Sequence, residues 1–324
     1  MSGLVQALLV DGSVVSLREF GPSDTDALSD LLRALPEGDR HFGLFSAPAR
    51  DEHSRHLAIG VFDDDRLLGV ASCVGPPDSD STEVAFAVAL SARARGVGTL
   101  LLEHLASLAR RHGARRFTAD VSAADSRAVR LLTDLGLVWT VTADGDVAHV
   151  DLGLDPVEHY LDAVADRELT ADVESLRAVL EPASIVLVGA GRSSSSVGNA
   201  VLRNLLAGDF AGDLSAVNPN ADHVLGIPCH TSVLELPSAP ELAVLCVPAK
   251  LVPGIAEDCG RRGVRALVVI TSGLSDDPAL VEGLMDAVHA HGMRLVGPNC
   301  LGVSTSAPDV RMDATFTRTR AAAG

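Results

Sequence analysis

Residues 83–113 read EVAFAVALSARARGVGTLLLEHLASLARRHG. Glu83, Ala85, Ala87 and Ala89 alternate with Val84, Phe86 and Val88, which predicts a strand with two distinct faces. From Val97 onward the apolar residues Leu100, Leu101, Leu105 and Leu108 recur at helical spacing. Between the two lie Arg93, Arg95, Gly96 and Gly98. A turn needs one glycine at most, and a solvated loop needs no arginine. A helix N-terminus leaves N–H groups unpaired and carries partial positive charge, so it suits an anion. Glycines let the backbone approach such a ligand, and arginines add paired donors.

The flanking sequence extends this into a mixed α/β domain. "VVSLREF" reads as a strand, and residues 24–35 as a helix capped by Ser23 or Asp24. "HLAIGVFDDDRLLGVASCV" reads as two strands joined by an aspartate-rich turn. After the glycine loop come a strand "RRFTADV", a helix ending near Leu135 and Gly136, and a hairpin at Asp144 and Gly145. Residues 153–172 are acidic and show no strand pattern, so a linker with a helical piece is expected there. Beyond Ala183 the rhythm becomes regular: "SIVLVGA", "LSAVNP", "LAVLCVP", "ALVVITSG" and "MRLVGPNC" are nearly all apolar and separated by helix-length segments. Such strands form a parallel sheet covered on both faces, a doubly wound domain.

The 324 residues carry a formal net charge of −17, which disfavours nucleic acid and suits a cationic partner. No apolar run approaches the roughly 18 residues of a membrane span, and the N-terminus lacks a basic-then-hydrophobic leader, so a cytoplasmic location is expected. The five cysteines are scattered without paired spacing and no histidine pair has ligand spacing, so neither disulfides nor a metal site is expected. Lys250 is the only lysine.

The loop and its surroundings, about residues 12–152, resemble the GCN5-related N-acetyltransferase (GNAT) superfamily, with its Q/R-x-x-G-x-G/A motif between strand and helix. "LREFGPSD" and "DSRAVRLLTDLGL" fit the same pattern. The resemblance implies a mixed, mostly antiparallel sheet with helices, and acetyl-CoA as co-substrate. It puts Arg93, Arg95, Gly96, Val97, Gly98 and Thr99 at the pyrophosphate, and Phe86, Ala87 and Val88 beside the thioester. The strand before the loop would splay to pair with the pantetheine arm. Ser126 departs from the asparagine common in relatives, which puts its pantetheine contact in doubt. Glu83 is the expected general base: an amine must lose a proton before attacking a thioester, and a carboxylate on this strand can take it. Partial burial would raise its pKa and improve it as a base.

"VGAGRSSSSVG" places Gly189, Gly191 and Gly198 between strand and helix, but the third position after Gly191 is Ser194 and the second strand ends in "VNPN". A dinucleotide fingerprint has glycine and an acidic residue at those places, so NAD is disfavoured. The set "VGAGR", "AVNPN", "VLGIPCHTSVLELP", "LCVPAK", "VITSG" and "GPNCLG" resembles the CoA-binding domain of NDP-forming acyl-CoA synthetases over about residues 175–305. That resemblance implies CoA contacts from Gly189, Ala190, Gly191, Arg192, Ser193, Val247, Pro248, Thr271, Ser272, Asn299 and Cys300. Asn220 stands where relatives often place a phosphate-reaching lysine, so a second site for CoA or acetyl-CoA and a scaffold without ligand both stay open.

The expected organisation is therefore an acetyltransferase domain over 1–155, a linker over 156–174 and a Rossmann-like CoA-binding domain over 175–324, shortened before the synthetases' next subdomain. Synthetase chemistry is not expected, because it uses a phosphorylated histidine and an ATP-grasp domain beyond this point. The pairing resembles bacterial Pat-type protein lysine acetyltransferases, which implies a lysine of an AMP-forming acyl-CoA synthetase as acceptor. A small-molecule amine acetyltransferase and a non-catalytic acyl-CoA sensor are the alternatives.

Overall fold

The computed structural model describes residues 4–36, 55–76, 78–123 and 126–318. The chain divides into two compact units, Met1–Asp172 and Val173–Gly324. In the first, the alternating stretch forms β5 (Ser81–Val88) and buries both of its faces. Val84 and Phe86 enter the core under α2 (Val97–Arg111), to which Leu101, Leu102, Leu105 and Ala109 contribute fully buried side chains. Ala87 faces the other way, among Leu31, Leu35, Phe62, Leu67 and Val70 beneath α1 (Thr25–Ala34). Small residues on that side of β5 let α1 close on the sheet.

The remaining strands are β1 (Val5–Leu8), β2 (Val14–Glu19), β3 (Arg55–Asp63), β4 (Arg66–Gly75), β6 (Arg116–Ser122), β7 (Trp139–Asp144) and β8 (Val147–Gly153). They form an eight-stranded sheet in the order β1-β2-β3-β4-β5-β6-β8-β7. Neighbours are antiparallel except β5 and β6, which run parallel because α2 carries the chain back before β6 begins. Asp24 holds the expected N-cap position of α1, but its carboxylate does not cap the helix. It takes a bidentate pair from Arg18 at 2.7 and 2.8 Å and a bond from the Gly21 N–H instead.

The stretch expected as a linker is a 23-residue helix, α4 (Glu158–Leu180), and the division between the units falls inside it. Ala171, Ser175 and Ala178 are buried at four- and three-residue spacing, and Tyr160 and Val179 are buried as well. The acidic residues between them masked this stripe in the composition.

In the second unit β9 (Ser184–Val188), β10 (Asp213–Val217), β12 (Ile227–His230), β13 (Leu242–Leu245), β14 (Ala266–Val269) and β15 (Arg294–Val296) are parallel in the order β12-β10-β9-β13-β14-β15. Counted along the chain this is 3-2-1-4-5-6, the doubly wound order. Helices α5 (Val197–Ala207), α6 (Val252–Arg262) and α7 (Pro278–Ala290) accompany it. Val186, Val188, Leu245 and Leu267 enter one core, while Ile185, Leu187, Val244 and Val268 enter another, as expected for strands covered on both faces. An antiparallel strand β11 (His223–Val224) beside β12, and a ribbon of β16 (Gly302–Ser304) with β17 (Asp313–Thr315), were not legible in the sequence. Two or three residues are too few to show a period.

Candidate functional sites at two phosphate loops

The sheet of the first unit opens beside the glycine loop. β5 pairs with β4 as far as Gly69↔Val88, but with β6 only from Ser81↔Arg116 to Glu83↔Thr118. Beyond that rung β5 runs on to Val88 and β6 to Ser122 without a shared ladder. The Ala89 N–H donates to the Leu68 carbonyl at 2.8 Å, on the β4 side. Successive amides of a strand point in opposite directions, so the Val88 N–H is aimed into the opening. An extended ligand can take backbone bonds there that no strand supplies.

Glu83 sits on the last shared rung and is exposed. Partial burial, which would improve it as a base, is absent: Glu83 stands near the start of β5 on the face opposite Val84 and Phe86, where Ala85 and Ala87 further along are buried.

After β5 a short 3-10 turn (Leu90–Ala92) leads through Arg93 into the loop. Gly96 is the N-cap of α2 with φ +85°, and having no side chain it leaves the first amides of the helix uncapped. Those of Val97, Gly98 and Thr99 lie in the first turn, where the helix supplies no acceptor. Gly98 also lies in close packing: a Cβ there would lie 2.6 Å from Leu131 Cδ2 on α3 (Ser126–Thr133). Ser126 opens that helix.

Arg95, expected at the pyrophosphate, is committed elsewhere. Its Nε donates to Asp11 Oδ2 at 2.7 Å and Nη2 donates to Ser13 Oγ at 2.7 Å. Partial burial pushes the Asp11 carboxyl up, but the Ser13 hydroxyl and the Arg95 guanidinium hold it below the usual carboxylate range. Sequence reading missed Asp11 and Ser13. Their contacts with Arg95 cross 84 and 82 residues of sequence, which no local pattern reports.

In the second unit every residue of the expected set follows a parallel strand: Gly189–Ser193 after β9, Val247 and Pro248 after β13, Thr271 and Ser272 after β14, Asn299 and Cys300 after β15. β9 and β13 flank the switch point, the usual ligand crevice of this topology. Gly189 has φ +91°, and a Cβ on it would meet the Cys246 carbonyl oxygen at 2.4 Å. Gly198 takes the helix-packing role of a fingerprint's third glycine, seven residues after Gly191 rather than three, since a Cβ there would lie 2.1 Å from the Gly189 oxygen.

The longer loop is tied internally. Asn218 Nδ2 donates to the Ala190 carbonyl at 2.6 Å, Asn199 Nδ2 to that of Gly191 at 2.9 Å, and Ser196 Oγ caps α5. Arg192 is exposed beside them. Thr271 Oγ1 donates to the Val247 carbonyl at 2.8 Å, and the Asn299 N–H to that of Thr271 at 3.1 Å, which ties the three strand ends together. Cys300 is half-buried with its thiol directed at the Val269 carbonyl, and burial, with Cys300 nearby, pushes the Cys246 thiol up to about 12. Neither is set up as a nucleophile.

Among the described residues no group of three or more His, Cys, Asp or Glu could hold a metal ion, and no helix is long and apolar enough to cross a membrane.

Residues 24–137 match the family model described as acetyltransferase (GNAT) family, and residues 183–306 match that of a CoA binding domain. Acetate–CoA ligase [ADP-forming] I of Archaeoglobus fulgidus is 41% identical over 143 residues, which are 42% of this chain and 20% of that protein. The chain thus spans about a fifth of the length of that relative. A solved dinucleotide-forming acetyl-coenzyme A synthetase 1 from Ca. Korarchaeum cryptofilum is 40% identical with a TM-score of 0.41, covering 44% of this chain and 30% of its own. The GNAT domain of S. lividans PAT is 21% identical with a TM-score of 0.41, covering 46% of this chain and 96% of its own. By the two family models, the chain carries a GNAT domain followed by a CoA-binding domain.

Proposed function

We propose that the chain transfers the acetyl group of acetyl-CoA to a lysine ε-amine of a protein, an AMP-forming acyl-CoA synthetase being the acceptor class, and that the second unit binds CoA or acetyl-CoA to adjust the first. The observation that carries the reading is the opening between β5 and β6, with Glu83 on its last rung and the uncapped start of α2 beyond its far end. The α2 amides would hold the pyrophosphate. The opened edge of β5 would hold the pantetheine arm and bring the thioester carbonyl to the Val88 N–H. Glu83 first takes a proton from the ammonium group, and the resulting neutral amine attacks that carbonyl. The Val88 amide donates to the oxyanion; on collapse the carbon–sulfur bond breaks, and the proton that the new amide nitrogen sheds goes to the departing thiolate, giving CoA thiol.

Charge supports a cationic acceptor. Residues 1–172 hold 28 carboxylates against 15 arginines, whereas the rest holds 15 against 11 basic residues. The acidic excess therefore belongs mainly to the transferase unit, where it favours encounter with a lysine-bearing surface.

The test is transfer from labelled acetyl-CoA to a purified AMP-forming acyl-CoA synthetase, comparing the chain with Glu83→Gln. The expected loss is about 10²- to 10⁴-fold in kcat, with acetyl-CoA binding retained. Transfer to free polyamines that exceeds transfer to folded protein would replace the acceptor class. Tight binding without transfer to any amine would leave a sensor.

A further inference from the structure

The loop that starts α2 is gripped from outside its own segment. The turn between β1 and β2 reaches it through three bonds: Asp11 Oδ2 accepts from Arg95 Nε at 2.7 Å, Ser13 Oγ accepts from Arg95 Nη2 at 2.7 Å, and the Val10 N–H donates to the Arg95 carbonyl at 3.2 Å. Ser13 Oγ in turn donates to Asp11 Oδ1, and the Ser13 N–H donates to the same oxygen at 3.1 Å. Val10 also closes over Gly96, where a Cβ would meet Val10 Cγ1 at 3.1 Å.

This grip meets the loop where its backbone is least comfortable. Ala94 has φ +59° and Gly96 φ +85°, so two left-handed residues flank Arg95. Glycine takes that conformation freely, but alanine brings its Cβ against the following carbonyl. A strained residue persists only where its surroundings over-determine it, and the bonds to Arg95 are the surroundings here.

We propose that Asp11 and Ser13 are positioning residues for acetyl-CoA, and that Arg95 is their tether rather than a phosphate ligand. By holding Arg95 they keep Ala94 left-handed and Gly96 at the N-cap, so that the first amides of α2 stay aimed at one point. The inference rests on the acetyl-CoA reading above. Releasing the tether lowers the fraction of chains with a competent loop, and apparent affinity falls by that fraction.

The experiment is calorimetric titration of acetyl-CoA, together with steady-state kinetics, on the full chain and on Asp11→Ala, Ser13→Ala, Ala94→Gly and Asp11→Ala with Ala94→Gly. Asp11→Ala should raise Kd and the KM for acetyl-CoA by about five- to tenfold, leaving kcat at saturation and the acceptor KM unchanged. Ser13→Ala should act in the same direction more weakly and guards against a folding defect in Asp11→Ala. Ala94→Gly alone should bind at least as tightly as the parent, and in the Asp11→Ala background it should recover much of the lost affinity. A merely structural role would not give that rescue. Unchanged acetyl-CoA affinity in both Asp11→Ala and Ser13→Ala, with the parent binding, overturns the inference alone. A parent chain that binds no acetyl-CoA overturns the functional reading and the inference with it.

Discussion

Gly198→Ala asks whether the glycine-rich loop of the second unit is built on contact between α5 and the end of β9. An added Cβ would stand 2.1 Å from the Gly189 oxygen, 3.0 Å from the Gly189 carbonyl carbon and 3.3 Å from the Gly191 nitrogen. The first distance falls more than about 1 Å short of an ordinary C···O separation. All three atoms are backbone, in a turn already fixed by Asn199 and Asn218, so no side-chain rotation can relieve them. The helix has to move away from the strand. Overpacking of this kind costs about 1–3 kcal/mol when side chains can give way, and this site belongs at or above the upper end.

Gly98→Ala supplies the contrast. There the obstacle is Leu131 Cδ2 at 2.6 Å, the far end of a flexible side chain, and alanine regains up to about 1 kcal/mol of helix propensity. Its net effect should stay within about 1 kcal/mol of zero. Urea unfolding read by far-ultraviolet circular dichroism measures both variants, and Trp139, the single tryptophan, reports the first unit by fluorescence. A loss of roughly 3 kcal/mol in Gly198→Ala, with weakened CoA binding if that site is used, is the expected result. A Gly198→Ala chain as stable as the parent would refute the argument that glycine here is a packing requirement.

Two other substitutions test the electrostatics. Asp24 is buried with its carboxyl held below the usual range, mainly by its bonds to Arg18, so Asp24→Asn should cost about 2–3 kcal/mol at neutral pH. Because the folded-state pKa is depressed, that stability is present above the unfolded carboxyl's pKa near 3.9 and fades as pH falls through the folded value. The parent and Asp24→Asn should therefore converge in acid, which unfolding followed from pH 7 to pH 3 would show. Cys246, with its thiol pushed up to about 12 by burial, should resist iodoacetamide at pH 8 in the native chain and react at the rate of a free thiol once unfolded. Fast native labelling would contradict that upward shift.

Much was legible because it is local. The alternation of Val84 and Phe86 with Ala85 and Ala87 fixes the two faces of β5 whatever it later touches. The glycine loop before Val97 and the all-apolar strands after Ala183 likewise announce a mixed α/β domain and a doubly wound one without knowledge of any contact. The helical piece expected near residues 153–172 was legible, but its extent, Glu158–Leu180, was not, because carboxylates dilute its apolar residues. β11, β16 and β17 fell short because such short strands exist only by pairing.

The contacts of individual site residues were decided by the tertiary structure. Sequence alone gave Arg93 and Arg95 the same phosphate role, and made Gly96 and Gly98 equal partners in ligand approach. The fold sends Arg95 to Asp11, 84 residues away, and puts Gly98 under Leu131. It leaves Glu83 exposed on the last rung of an opening whose other side is a strand more than thirty residues further on. Residue types and their period state which face is apolar and where the backbone must be glycine. Which side chain a guanidinium meets, and where two strands part, depend on chain segments brought together only by folding.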